Sequence, residues 1–511
     1  MRQPVRVRLM ILGGKNKSIR ISPDFILVLS LGYLYVPLIL FLVTWLKLWI
    51  AVIAAAVCLY GTFCVFRDFR EDVTEDIRIG VLPLAMTGVI LIGTGVLCGW
   101  GGWLPQADDW SKHNALLMDL MNRPWPVYYS DAVSPSMLTY YIGQYLIPAA
   151  FGKVFHSFRA AEIAMYIWGE AGLFLITTNL LRVLKADTAI KQVGTALMLV
   201  FFSGGLLLSQ QLFEVISENA SMDMQWMTSI NGSLLQYRSN FVDLRWVMPQ
   251  CLSIWLIVTL WWNHKEQIRD YIPLMIPACL NGILSFAGII PMAILCACIE
   301  FCEHRMGIKE IIGRIFSPQN ILSAVCPGGI LLAYYAGNIF SDKPEGVGFS
   351  FNSITPWLYI TFVIGHFGIY CLLIWKRNWK NGIFMGAFVT LLILPFFCMG
   401  YWNDLVMCCS IPGLFVMMIC VTDYLFRFPN TFASGVLTAV VFVSALNPMK
   451  EAISVIRYYV PGQLNHNVSV ESLADYSNLV DEEISAGWKY NYYSYNVDDN
   501  IFIEYFAQSK P

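Results

Sequence analysis

Long apolar runs separated by short polar links set the pattern of this chain, and many of the runs approach the roughly 20 residues that one membrane-crossing helix needs. The first, 26–46, follows a basic segment holding Arg2, Arg6, Arg8, Lys15, Lys17 and Arg20, with no acid before Asp24. It lacks a small-residue cleavage site and reads as an anchor, not a removable leader. A second run, 49–66, ends in RDFREDVTEDIR, and a third, 80–98, leads out again. Further runs lie near 137–155, 160–181, 193–208, 246–263, 272–300, 320–338, 355–375, 382–399, 405–425 and 431–447, which predicts thirteen or fourteen spans. The 272–300 run carries Pro273, Pro277, Gly282, Gly288 and Pro291, a pattern that suits two short helices better than one long one.

Composition agrees. Apolar residues make up 57% of the 511 and charged residues 13%, against roughly 25% charge in soluble domains. The expected class is therefore an all-α polytopic transmembrane bundle. It divides into a basic cytosolic segment 1–25, a membrane domain 26–448 with polar external loops 100–136 and 209–245, and an extramembrane tail 449–511. A net charge of −2 gives no sign of nucleic-acid binding. Most of the fourteen cysteines fall in or beside apolar runs, where cysteine acts as a small hydrophobe, and no metal-type pair stands in a polar setting. The positive-inside rule puts the N-terminus in the cytosol, with the links holding Lys376, Arg377 and Lys380 and holding His304, Arg305, Lys309 and Arg314. Arg182, Lys185 and Lys191 lie one span from His156 and Arg159, so a run between 137 and 208 must be broken, re-entrant or miscounted. The tail is aromatic and acidic, and suits a small cap packed on the spans.

Chemistry concentrates in the first insert, WGGWLPQADDWSKHNALLMDLMNRPWPVYYS. Asp108 and Asp109 follow an aromatic cluster of the kind that marks headgroup depth. One of the two can face a cleft while the other caps the run 112–121, whose Leu116, Leu117, Leu120 and Met121 suit a helix lying flat on the bilayer. Lys112 and His113 stand beside them, the histidine either as a general base or as an interfacial hydrogen-bonder. Tyr128, Tyr129, Tyr140, Tyr141 and Tyr145 belong to an aromatic belt or to a sugar-binding groove. Glu170 is a midspan acid, and Arg238 and Arg245 flank the next span, where a guanidinium suits phosphate. Asp404 follows Asn403 at the entry to a late span, where a helix cap is the alternative reading.

With these residues in place, the chain resembles the GT-C-type integral membrane glycosyltransferases. The resemblance rests on the acid-bearing loop running into ADDWSKHNALLMDL, on the proline- and tyrosine-rich WPVYYS and LTYYIGQYLIPAAFGK, and on the many later spans with a small C-terminal part. The chain is also similar to bacterial polytopic proteins with motifs such as WVMPQ and YWNDLVMCCSIP. That family implies transfer of a sugar from a polyprenyl-phosphate donor to a cell-envelope glycan, lipid or protein on the non-cytosolic face of a bacterial plasma membrane. It implies that an acid of the first loop, here Asp108 or Asp109, is the base or the partner of a divalent cation, with no other cofactor. Partial desolvation would raise that acid's pKa and make it a better base. Arg238, Arg245 or Lys112 would neutralise the leaving phosphate. Two extra spans precede the loop relative to the family's usual pattern, and no WWD stretch is present. Rival readings are a lipid-linked oligosaccharide flippase or small-solute transporter using Glu170 and the broken 272–300 run, and a polysaccharide polymerase.

Overall fold

Helices run back and forth between two ends of a bundle, and the polar links sort to one end or the other. The computed structural model describes residues 9–12, 18–70, 77–107, 109–129, 135–204, 227–339, 348–400, 402–457, 472–474, 492–494 and 497–508. Eight helices among the described residues are long and apolar enough to cross a membrane, so the chain is a multi-pass membrane protein with an all-α core. Beside the thirteen or fourteen spans expected, the described residues hold these eight and shorter apolar helices, Val81–Leu97, Ala189–Phe201 and Gly382–Phe396.

An antiparallel sheet of β1 (Leu9–Leu12), β2 (Ser18–Ile21) and β3 (Ile77–Gly80) marks the amino-terminal end. From it α1 (Pro23–Trp45) runs to the opposite, cap end, α2 (Leu48–Phe69) returns, and α3 (Val81–Leu97) goes out again. Gly99, Gly101 and Gly102 follow at φ of 81°, 75° and 68°, a left-handed region that side chains avoid. The tight turn they allow drives Trp100 into the core, where its indole N–H donates to the Leu244 carbonyl at 3.1 Å.

Across the cap end lies α4 (Trp110–Asn122). Its Leu116, Leu117 and Leu120 are buried against protein, so the surface-lying helix expected from the amphipathic pattern is instead packed under neighbours. α5 (Gly143–Phe155) begins inside the bundle, where Gln144 and the Tyr33 hydroxyl are hydrogen-bonded at 3.2 Å. It climbs back to the cap end, where Lys153 donates to the Arg123 carbonyl at 2.5 Å. The chain thus dips in and returns on one side, and α6 (Phe158–Val183) makes the full descent. This places Arg159 at the cap end, bonded to the Gly101 carbonyl, and Arg182 at the other, beside Asp24, Phe69 and His264. The two basic clusters that a simple count set in conflict belong to different ends.

α7 (Ala189–Phe201) rises only 13 residues. After the short α8 (Asn240–Trp246) at the cap end, α9 (Met248–Asn263) descends through the centre, buried from Met248 to Trp261. α10 (Tyr271–Asn281) and α11 (Ile283–Glu303) meet at Gly282, the break expected from the proline and glycine pattern, though the second helix is 21 residues long. An exposed surface helix, α12 (Ile308–Ile315), leads to α13 (Pro318–Ser323) and α14 (Gly329–Ile339), joined by a π-turn. A second π-turn links α15 (Pro356–Val363) to α16 (Ile369–Asn378). α17 (Gly382–Ile393) rises along α11, with Gly386 against the Met292 backbone, a small residue permitting close helix approach. The short α18 (Asp404–Cys409) then turns into α19 (Ile411–Arg427), which packs beside α9 with Trp255 stacked on Phe415 at 5.1 Å. α20 (Phe432–Ser444) and α21 (Leu446–Arg457) carry the chain back to the cap end.

Described parts of the tail pack on that same end. β6 (Tyr493–Ser494) joins β4 (Tyr128–Tyr129) and β5 (Ser136–Leu138) in one antiparallel sheet, and Phe502 sits against Phe41 and Tyr334. All fourteen cysteines are free.

Candidate functional site

Asp109 occupies the N-cap position of α4, but its side chain caps nothing. It pairs instead with Lys112, one turn on along the same helix face, at 2.6 Å. The ammonium stem is enclosed, at 12% side-chain exposure, while the carboxylate remains 35% exposed, so the acid is the member open to an incoming group. Asp108 lies outside the described residues.

Arg238 reaches the same place from the link before α8. Its side chain is buried, with Nε 3.3 Å from Asp243 and Nη2 3.7 Å from the Cys408 sulfur. Asp404, at the start of α18, faces Arg238, Lys112 and Asp109. Its approach is set by the preceding turn. Gly400 at φ 82° leaves room for the Asp404 carboxylate, and Asn403 at φ 56° is locked by donating to the Leu234 carbonyl at 2.9 Å. Asparagine tolerates that left-handed backbone better than most residues. Lys112 and Arg238 therefore stand among Asp109, Asp243 and Asp404, contributed by the two polar inserts and a distant turn.

The charges can be ranked. Burial pushes the Asp109 carboxyl up, but Lys112, His113 and Arg238 together hold it below the usual carboxylate range. The raised pKa expected from desolvation is thus corrected: the cations outweigh burial. Asp243 goes the other way, pushed up to about 7 because burial exceeds what Arg238 returns. Burial also lowers His113, to about 4. Its Nδ1 lies 2.6 Å from the Tyr145 hydroxyl and the ring is also hydrogen-bonded to the Trp246 backbone. With those contacts made and the side chain buried, His113 orients α4 on α5 and is badly placed to collect a proton.

A tyrosine wall closes one side. Tyr140 and Tyr141 have ring centroids 3.7 Å apart, and Tyr492 lies against Tyr140 at 4.4 Å with the rings tilted by 34°. Tyr145 joins this group and faces Asp109, while Tyr141 faces Gln250 and Cys408.

Among the sequence candidates, the structure brings together Asp109, Lys112, Arg238, Asp404, Tyr140 and Tyr141, with His113 turned inward beside them. Arg245 stands apart: it donates to the Leu97 carbonyl at 3.1 Å and pairs with Glu451 at 3.2 Å, tying α3 to α21. Tyr128 lies on β4 beside the Asp119–Arg123 pair, with its carbonyl bonded to Arg123. Glu170 is buried at 7% exposure in the seam of α3 and α6, pressed on Gly95, with neither carboxylate oxygen given a good donor. Asp243, Tyr145, Gln250 and Tyr492 complete the cluster without having been picked as site residues. Two of them carried a local signal: Tyr145 in the tyrosine-dense stretch, and Asp243 as an acid five residues after Arg238 in RSNFVD.

Among the described residues, the one set of three donors within 4.8 Å of one another is Glu266, Glu300 and His304, at the amino-terminal end. There Glu300 is already paired with Lys265. The carboxylates at the cap end do not close on a common point in this way.

Neither a family model, nor a curated protein, nor a solved structure matches the chain. Fold and cluster define a polytopic membrane protein that gathers acids, cations and phenols at one end of its helical bundle.

Proposed function

We propose that this chain is a membrane glycosyltransferase of GT-C type, moving a sugar from a polyprenyl-phosphate donor to a cell-envelope acceptor. The observation that carries the reading is the convergence of Asp109, Lys112, Arg238 and Asp404 at the level where the spans end. A lipid-borne sugar offers its anomeric carbon at that depth. Asp109 takes the proton of the acceptor hydroxyl, the freed oxygen attacks the anomeric carbon, and the carbon–oxygen bond to phosphate breaks with its electron pair leaving on the phosphate. Lys112 and Arg238 neutralise that phosphate. As Lys112 turns toward it, Asp109 loses the cation that depresses it and becomes a stronger base. Fold analogy contributes only the class of reaction. The test is turnover of prenyl-phosphate sugars by purified protein and by Asp108→Asn and Asp109→Asn. Full activity in both variants would end the proposal.

Orientation follows from charge. Arg20, Arg67, Arg182, Lys185, Arg314, Lys376 and Arg377 gather at the amino-terminal end, which supports a cytosolic location for it and the non-cytosolic face for the cluster. With exposed Cys298 and Cys302 replaced by serine, a membrane-impermeant maleimide applied to whole cells is expected to label Ser350→Cys and not Lys380→Cys. The reverse pattern inverts the topology.

Glu170 offers the test against a carrier. It sits on Gly95, whereas the Gly282 break packs on Gln250, so the two features a midplane transport site needs occupy different seams. Glu170→Gln is expected to keep transfer at wild-type rate and to unfold no earlier, since a buried carboxylate without donors costs about 1–3 kcal/mol that a neutral amide reduces. Loss of uptake or flipping in this variant would instead favour the carrier.

A further inference from the structure

The structure assigns Tyr492, delivered by the C-terminal tail, as a positioning residue of the cap-end site, where it sets the half-buried Tyr140 and Tyr141 to receive the sugar. The assignment rests on the glycosyltransferase reading and names the part of the site that holds the hydroxyl-rich ring. Four phenols drawn from two stretches far apart in the chain, 140–145 and the tail at 492, converge here. Tyr140 faces Tyr141, Tyr492 and Tyr145, and Tyr145 faces Tyr141, Tyr492 and Asp109. A polyhydroxylated ring needs many groups that both donate and accept, which a phenol hydroxyl does and a carboxylate or guanidinium does not. Tyr140 and Tyr141 are half-buried and form the open side of the group, with Tyr145 and Tyr492 buried behind them.

The tail is built to hold Tyr492 there. Its carbonyl accepts from the Thr139 N–H at 2.8 Å, in register with the pairing of Tyr493 to Leu138 and Ser494 to Met137. The Tyr493 carbonyl accepts from Asn338 at 2.9 Å, and Gly337 leaves room for Ser494 and Asn500. Further on, the Asn500 carboxamide oxygen accepts from the Phe502 N–H at 2.9 Å, seating Phe502 on Phe41 and Tyr334. A cap with no part in the reaction would need none of this alignment to place one ring on Tyr140.

The experiment uses the full chain in detergent or lipid nanodiscs with farnesyl-phosphate glucose, galactose and mannose as donors. Tyr492→Phe keeps the ring and removes the hydroxyl. It is expected to raise KM for the preferred donor or acceptor about 3- to 10-fold, with kcat near wild type and an unchanged unfolding midpoint. Tyr492→Ala, which also removes the ring, is expected to raise it further. A purely structural tyrosine would lower the unfolding midpoint and the amount of active protein without moving KM, and that result in Tyr492→Phe overturns the assignment. Asp109→Asn in the same assay separates the two claims. Lost turnover there with unchanged KM in both Tyr492 variants refutes the role of Tyr492 alone, whereas full turnover in Asp108→Asn and Asp109→Asn alike refutes the underlying reaction.

Discussion

Asp109→Asn is expected to lower transfer by about 100- to 10,000-fold, the range by which a positioned general base accelerates a proton-transfer step. Asparagine keeps the shape of the side chain and removes the basic oxygen. The fold should survive, because Asp109 makes no capping bond and its pair with Lys112 is partly solvated. Surface-type pairs of this kind contribute about 0–1 kcal/mol. kcat and kcat/KM should fall together, the signature of an interaction made in the transition state. The pH profile checks the assignment further. Asp109 is held below the usual carboxylate range, so the acid limb it produces lies below about pH 4. A limb near pH 7 would belong to Asp243, whose carboxyl is pushed up to about 7, and would vanish in Asp243→Asn. Transfer at even a tenth of the wild-type rate by folded Asp109→Asn would remove this residue from the mechanism.

Why the pair Asp108 and Asp109 could be picked out in advance, and much of the surroundings of Asp109 could not, has a physical explanation. Hydrophobic periodicity reports which face of a segment is apolar and not what covers it. In α4 it identified Leu116, Leu117 and Leu120, but they pack on protein and not on lipid. Glycine and proline mark where a helix fails, so the break at Gly282 was legible. The depth to which α5 enters the bundle was not, because it depends on partners as distant as Tyr33 and Asn281. Residue type could nominate His113, whereas only its contacts with Tyr145 and Trp246 show that it is engaged in holding helices together. Short-range spacing joined Asp109 to Lys112. Nothing local could join them to Asp404, or Tyr140 to Tyr492, since those meetings are made by the whole path of the chain.

Arg238→Met should destabilise the protein by about 3–5 kcal/mol, the usual result of removing one partner from a buried charged pair. Asp243 would be left in the interior, and Asp404 and Asp109 would lose their shared cation. The wild type also carries a pH signature at this pair. The folded-state pKa of Asp243 lies above its unfolded value, so the stability it contributes is fully present below about pH 4. That contribution is lost as pH rises through about 7, where the folded chain must release a proton that the unfolded chain has already given up. Stability measured relative to Asp243→Asn should therefore fall across this window and level off above it. Combining Arg238→Met with Asp243→Leu replaces the pair by apolar groups, and buried pairs exchanged in this way often recover most of the lost stability. Transfer should not recover, because the cation that meets the departing phosphate is still missing. Stability and activity are thus expected to separate in the double variant, and its regaining wild-type transfer along with its fold would reduce Arg238 to a structural counter-ion and leave Lys112 as the phosphate's partner.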